Sequence, residues 1–331
     1  MSLYDRIYGC LAGLALGDCL GMPTEFLSPE QIRQEFGWVN QFVRAPEWHP
    51  HRVLLPGQVT DDTGQALAIA RAYLPNGQLT AQHVARELLT WAESVGDVLP
   101  IITGPSTRQA LDRLKKGDDP RQTGQNGTTN GAAYRAVVVG LVNYERSDRL
   151  MEQVVEACLP THGTCVAISG AAAVAFAVSK AVSKDASLED VFLAARQGAV
   201  EGRKYGKWAW GTPLEKRIEL ALQLTAETAQ PEIALAKLYD YVGVDMLVAE
   251  SVAAALGLVS LAKGDPMKAI TYGANIGGDT DTIAAIAGAI CGAWQGIAAI
   301  DRDMLIEVEK VNHLDLAAET ARLISIINSR E

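Results

Sequence analysis

Apolar positions recur at helical spacing through most of this chain. Ile7, Cys10, Leu11 and Leu14 share one face of an amphipathic helix predicted from about residue 3 to Leu20-Gly21. The same spacing returns over 61–74 and 80–94, then in the run entered from a Gly- and Asn-rich loop and continuing through Val142. The segment opened by Thr161-His162 predicts the most apolar helix, with further helices across 187–263, including 213–225 and 251–261. One or two helices close the chain over 303–328. Periodicity lapses over 37–58, where Trp38, Pro46, Trp48, Pro50 and Pro56 make a loop expected to cover part of whatever lies behind it. His49 and His51 in that loop read as surface residues rather than as a ligand pair. The apolar stretches 166–178 and 283–300 read as buried helices: the first is too short to span a membrane, and the second is mostly Ala and Gly and carries Gln295.

Composition narrows the architecture. Hydrophobic residues make up 48% of the 331 and aromatics only 6%, so the core is built from Ala, Leu, Val and Ile. Small residues let helices approach closely, which suits a compact many-helix bundle. No linker or solenoid repeat breaks the chain, and residues 1–331 are expected to form a single domain. A net charge of −10 argues against a nucleic-acid surface, which needs clustered Lys and Arg. The one basic cluster, Arg203, Lys204 and Lys207, is interleaved with Tyr205, Trp208 and Trp210 and reads as a surface loop. Five cysteines without a Cys-x-x-Cys pair predict reduced thiols in a cytosol. The opening 7–17 imitates a signal h-region, but Asp18 stands where a small-residue cleavage site is wanted, so export is not expected.

Chemistry concentrates in two remote acidic stretches. Val59-Thr60-Asp61-Asp62-Thr63 and Gly277-Gly278-Asp279-Thr280-Asp281-Thr282 each stand where a loop gives way to a helix. Residues two apart in a helix diverge by about 200°, so Asp279 and Asp281 can serve one ion only if the backbone turns there, as Gly277 and Gly278 permit. Four carboxylates with Thr60 and Thr282 carry charge enough for two hard divalent cations, Mg²⁺ or Mn²⁺; zinc is not expected, since no Cys or His adjoins either stretch. Capping and the helix macrodipole explain either stretch taken alone, and the metal reading gains from their near-matching pair.

With these motifs the chain resembles the ADP-ribosylglycohydrolase family, which includes the dinitrogenase reductase-activating glycohydrolases. The resemblance runs over residues 7–295. It implies an all-α fold, a compact orthogonal many-helix bundle, with a binuclear Mg²⁺ or Mn²⁺ centre. The implied reaction is hydrolysis at the anomeric carbon of an ADP-ribosyl group on a protein or small molecule. By position, Thr60, Asp61, Asp62, Asp279, Asp281 and Thr282 would hold the cations. Glu25, which ends the N-terminal motif, would join Asp62 and Asp279 as the catalytic carboxylates, with Glu25 or Asp279 taking the proton of the attacking water. The loop 124–131 resembles the element that cradles the diphosphate and neighbouring ribose, giving Asn126, Gly127, Thr128, Asn130, Gly131 and Tyr134 as substrate-binding candidates; Tyr134 stands where the family usually has Met. His162 would lie beside the nucleotide or its distal ribose.

One departure bears on substrate. Arginine-specific members carry Asp-Ile-Gly before a Thr pair, and here Ile102 takes the aspartate's place, so an acid to hold a guanidinium is missing. An N-ribosyl hydrolase acting on a free nucleoside or small conjugate is therefore a second expectation, and a non-enzymatic metal-binding or structural relative a third.

Overall fold

The first helix, Leu3–Gly21, starts at a reciprocal cap: Ser2 Oγ accepts the Asp5 N–H while the Asp5 carboxylate accepts that of Ser2. Every residue from Gly9 to Gly21 is buried. A helix apolar on all sides must be enclosed, and its main partner is the buried helix Thr280–Gln295. Glycine at every fourth position lets the two backbones touch. A Cβ at Gly9 would lie 2.5 Å from Gly292 O, at Gly13 2.1 Å from Gly288 O, at Gly17 2.3 Å from Ala284 O and at Gly21 2.5 Å from Thr280 O. The expected amphipathic stripe is thus a seam of backbone contacts running the length of the helix.

This computed structural model describes residues 1–330 and is helical throughout, with two isolated bridges, Thr129 to Leu247 and Thr164 to Lys207, and no strand among the described residues. Asp61–Ala72 and Ala81–Val95 match the predicted helices. Gly131–Val142 is buried at every position and packs against Cys165–Ala181, which also meets Leu188–Gly202 and the Thr280 helix. Val248–Leu261 bridges Leu214–Ala226 to that same helix, and Arg302–Asn312 and Leu316–Ser329 close the chain. Buried apolar side chains from Ile7 to Ile327 form one connected core. No single helix among the described residues is long and apolar enough to cross a membrane.

One boundary differs from expectation. Thr161 and His162 end the helix Ser147–His162 instead of opening the next one. Thr164 has the extended backbone of an N-cap and its hydroxyl accepts the Ala167 N–H, so the apolar helix begins only at Cys165.

Candidate metal centre

The close pairing of Leu3–Gly21 with Thr280–Gln295 decides where acids meet. Asp18 lies one turn before the end of the first helix, fully buried. It accepts the Thr60 N–H and hydroxyl at 2.9 and 2.8 Å, and those of Thr63 at 3.0 and 2.6 Å. Four donors from one residue pair fix the start of Asp61–Ala72 against the first helix. Asp18 is the positioning residue that motif reading passed over; its signal was a carboxylate within an otherwise apolar helix.

Beyond Gly21 the chain turns through Met22–Thr24 and sends Glu25 back over the same helix end. Phe26 N–H donates to Gly278 O at 2.8 Å, Gly278 N–H donates to Leu27 O at 2.9 Å, and Asp279 N–H donates to Val244 O at 2.7 Å. Gly277 and Gly278 have φ of 87° and 73°, and a Cβ on Gly278 would sit 2.4 Å from Val244 O. The turn expected before Asp279 is present and glycine is required in it.

Asp279 occupies an N-cap position, yet its side chain makes no capping bond. Its carboxylate instead takes a short hydrogen bond from Asn130 Nδ2, which is also 3.0 Å from Ser251 Oγ. Capping therefore does not account for this acid, whereas Thr60 does cap, accepting the Asp62 N–H at 3.4 Å. Thr282 Oγ1 donates to Asp62 Oδ1 at 3.3 Å, joining the two acidic stretches across 220 positions of sequence.

Glu25, Asp61, Asp62, Asp279, Asp281 and Thr282 share the floor of a cleft of about 470 Å³. Ligand oxygens of Glu25, Asp279 and Asp281 lie within 4.8 Å of one another, and Asp62 Oδ2 is buried without a hydrogen-bond partner. Five acids so placed, all oxygen donors and one of them orphaned, fit a hard divalent cation. Thr60, alone of the six expected cation ligands, does not line this cleft: its hydroxyl donates to Asp18 and accepts the Asp62 N–H, and the residue lines a separate cavity of about 320 Å³.

Burial is the largest cause of the electrostatic state and mutual repulsion follows it. Glu25, Asp62 and Asp279 are held well above the carboxylate range, and Asp61 and Asp281 are each raised from 3.8 to about 7. Tyr134 opposes the rise at Asp61 by donating its hydroxyl to Oδ2 at 2.7 Å. Groups with raised folded values bind protons on folding. Their stabilising contribution is complete below the ordinary value and is lost as pH climbs through about 7. In EDTA the melting temperature should therefore fall by several degrees between about pH 5 and 8, and added Mg²⁺ should restore more of it at the higher pH. A melting temperature flat across that range, or insensitive to Mg²⁺ at pH 8, contradicts this picture.

The Pro-rich loop corrects an expectation. His49 and His51 are 0% and 1% exposed, not surface residues. His49 Nε2 lies 2.7 Å from Glu25 O, and the His51 N–H donates to His49 Nδ1 at 3.0 Å. His51 Nε2 lies 3.4 Å from Glu25 Oε2, and burial pushes both imidazoles below their ordinary value. The pair is a wall behind Glu25, hidden from periodicity because its partners are backbone carbonyls far away in sequence.

The Gly- and Asn-rich loop divides. Thr129, Asn130, Gly131 and Tyr134 line the cleft. Asn126 is exposed with its amide oxygen 3.4 Å from Lys207 Nζ, Gly127 packs on Thr161 and His162, and Thr128 lines a separate 200 Å³ cavity with Trp210. His162 lies fully buried beneath the loop, its ring nitrogens 2.9 Å from Thr129 Oγ1 and 2.8 Å from Thr161 Oγ1. Tyr134, Gln65 and fully buried Arg135 form a chain of hydrogen bonds leading away from Asp61.

The ADP-ribosylglycohydrolase family model matches residues 1–330. The protein YegU of Escherichia coli (strain K12) is 34% identical, with 99% of this chain and 98% of that protein covered. The ADP-ribosyl-[dinitrogen reductase] glycohydrolase of Rhodospirillum rubrum is 31% identical over 42% of this chain and 45% of its own length. A solved structure, an ADP-ribosylglycohydrolase-related protein complex, superposes with a TM-score of 0.70 at 26% identity, covering 99% of both chains. A floor of converging acids, a fold shared along its length and a family match over 330 residues agree: the chain belongs to the ADP-ribosylglycohydrolase family.

Proposed function

We propose that this chain is a divalent-cation-dependent hydrolase that cleaves the bond at the anomeric carbon of an ADP-ribosyl group. The observation that supports it most is the unpartnered, buried Asp62 Oδ2 among four further carboxylates on the floor of an open cleft. Asp61, Asp62, Asp279 and Asp281, with Thr60 and Thr282, would hold two cations, Mg²⁺ or Mn²⁺, which when bound supply positive charge for an electron-rich oxygen and for the ribose hydroxyls.

The chain's own groups do the rest. Asn130 holds Asp279 by the one arrangement open to it, since a carboxylate can only accept and the amide must turn its Nδ2 inward. Tyr134 and Gln65 hold Asp61 Oδ2 in the same way. Glu25, with Oε2 facing His51 Nε2 and a raised proton affinity, is placed to take the proton of the attacking water. The Thr129 and Gly131 N–H groups, where this loop enters its helix, suit the diphosphate, while the Asn130 N–H is taken by Met246 O at 3.0 Å. Asn126, Gly127, Thr128 and His162 then act on substrate only through the shape of that loop.

Turnover in Mg²⁺ against EDTA on ADP-ribosyl-arginine, ADP-ribosyl-serine and ADP-ribose-1″-phosphate, beside a nucleoside panel, tests the reading. Cation-dependent release of ADP-ribose from at least one conjugate is expected. Cleavage of nucleosides alone would make the chain an N-ribosyl hydrolase, and cleavage of none would remove the enzymatic reading.

A further inference from the structure

The mouth of the cleft has a chemistry opposite to its floor. Among the described residues, Glu25, Asp61, Asp62, Asp279 and Asp281 are the only acids that line it. Around the rim stand Phe26, Val53, Ile101 and Ile102 together with two exposed guanidinium groups, Arg52 and Arg108. Neither arginine is paired with a carboxylate among the described residues. Each is tethered to a backbone carbonyl, Arg52 Nη1 to His49 O at 3.4 Å and Arg108 Nη1 to Pro100 O at 3.1 Å. The second tether ends on the short helix Leu99–Ile102, whose Ile101 and Ile102 line the same rim. The rim at this helix therefore offers two cations and apolar surface, and no counter-charge for a guanidinium.

We propose that the group displaced from the anomeric carbon is a phosphate, held at the rim by Arg52 and Arg108. The inference rests on the hydrolase reading above and deepens it. Water adds its oxygen to C1 and gives up a proton to Glu25; the C1–O bond to phosphate breaks and its electron pair leaves on the phosphate oxygen. A phosphate departs as an anion and needs no proton from the enzyme, in keeping with a rim that has no carboxylic acid to donate one, whereas a guanidine must be protonated to leave. Two guanidinium forks match phosphate oxygens in geometry as well as in charge. A chain of net charge −10 favours a small phosphate over a nucleic-acid end.

The test compares kcat/KM for ADP-ribose-1″-phosphate, ADP-ribosyl-serine and ADP-ribosyl-arginine in Mg²⁺, for the native chain, Arg52→Gln, Arg108→Gln and the corresponding Arg→Lys variants. The phosphate substrate is expected to exceed the arginine conjugate by at least about 100-fold. Each Gln variant should lower the phosphate rate about 10-fold more than the serine rate, with partial recovery by Lys, since both arginines are exposed and the fold does not depend on them. Equal losses on the phosphate and serine conjugates would show that the arginines hold the diphosphate common to both and would overturn the inference. A preference for the arginine conjugate overturns it too, while leaving the hydrolase reading intact. Turnover of none of the three removes that reading, and this inference with it.

Discussion

Replacing Asp281 by Asn lowers kcat/KM on an ADP-ribosyl substrate by at least about 1,000-fold and raises the melting temperature measured in EDTA. The two effects share one cause. In the absence of a cation Asp281 is a buried carboxylate whose proton affinity is raised, first by burial and then by the charge of Asp18, and its side chain meets that of Asp279. An amide keeps the oxygen that accepts the Thr282 N–H at 2.9 Å and turns an N–H toward Asp279, so a hydrogen bond that the two carboxyls make only while they share a proton becomes permanent. The same change removes a negative charge that the proposed cation site would need, and divalent-cation affinity falls with it. Asp62→Asn shares the loss of activity with a smaller thermal gain, because Asp62 Oδ2 faces no acceptor and an amide N–H there is buried unpaired. Mg²⁺ then raises the melting temperature of the native chain but not of either variant. A variant that keeps its activity, or that gains as much from Mg²⁺ as the native chain, sinks the cation-centred account.

Much of this site was legible because acid-rich helix starts are local patterns. Asp61, Asp62, Asp279, Asp281 and Thr282 announce themselves by type and by the glycines beside them, and all line one cleft. What sequence could not give was the wiring between them. Nothing local to Asp18 says that its partners are Thr60 and Thr63, 42 and 45 positions away. His49 and His51 looked like polar punctuation in a Pro-rich loop, because the carbonyls they face belong to Met22, Glu25 and Ile101. Tyr134 stood out only as a substrate-binding candidate, and its hydroxyl is committed to Asp61. In each case the residue type was visible and the partner was not, since long-range polar contacts leave no period in the chain.

The glycine seam carries the second large effect, and it reverses an ordinary rule. Alanine in place of glycine inside a helix normally stabilises by about 1 kcal/mol. Gly13→Ala is expected to cost about 2–4 kcal/mol instead, and to lower the melting temperature by at least about 5 °C, because its Cβ would stand 2.1 Å from Gly288 O and backbone cannot step aside as a side-chain tip can. Gly104→Ala, with open space around the new Cβ and ordinary helix-start dihedrals, leaves the melting temperature nearly unchanged and serves as the control. Gly21→Ala separates stability from function. Its Cβ would meet Thr280 O at 2.5 Å and Asp281 Cα at 2.6 Å, so the helices must part where the acids converge. Gly13→Ala spreads the helices two turns away from that point and is expected to retain most of its turnover at a temperature where it is folded. Gly21→Ala should lose turnover and Mg²⁺-induced stabilisation together, beyond what its own fall in melting temperature explains. Should Gly21→Ala bind Mg²⁺ and turn over like the native chain, the packing of these two helices does not set the geometry of the centre.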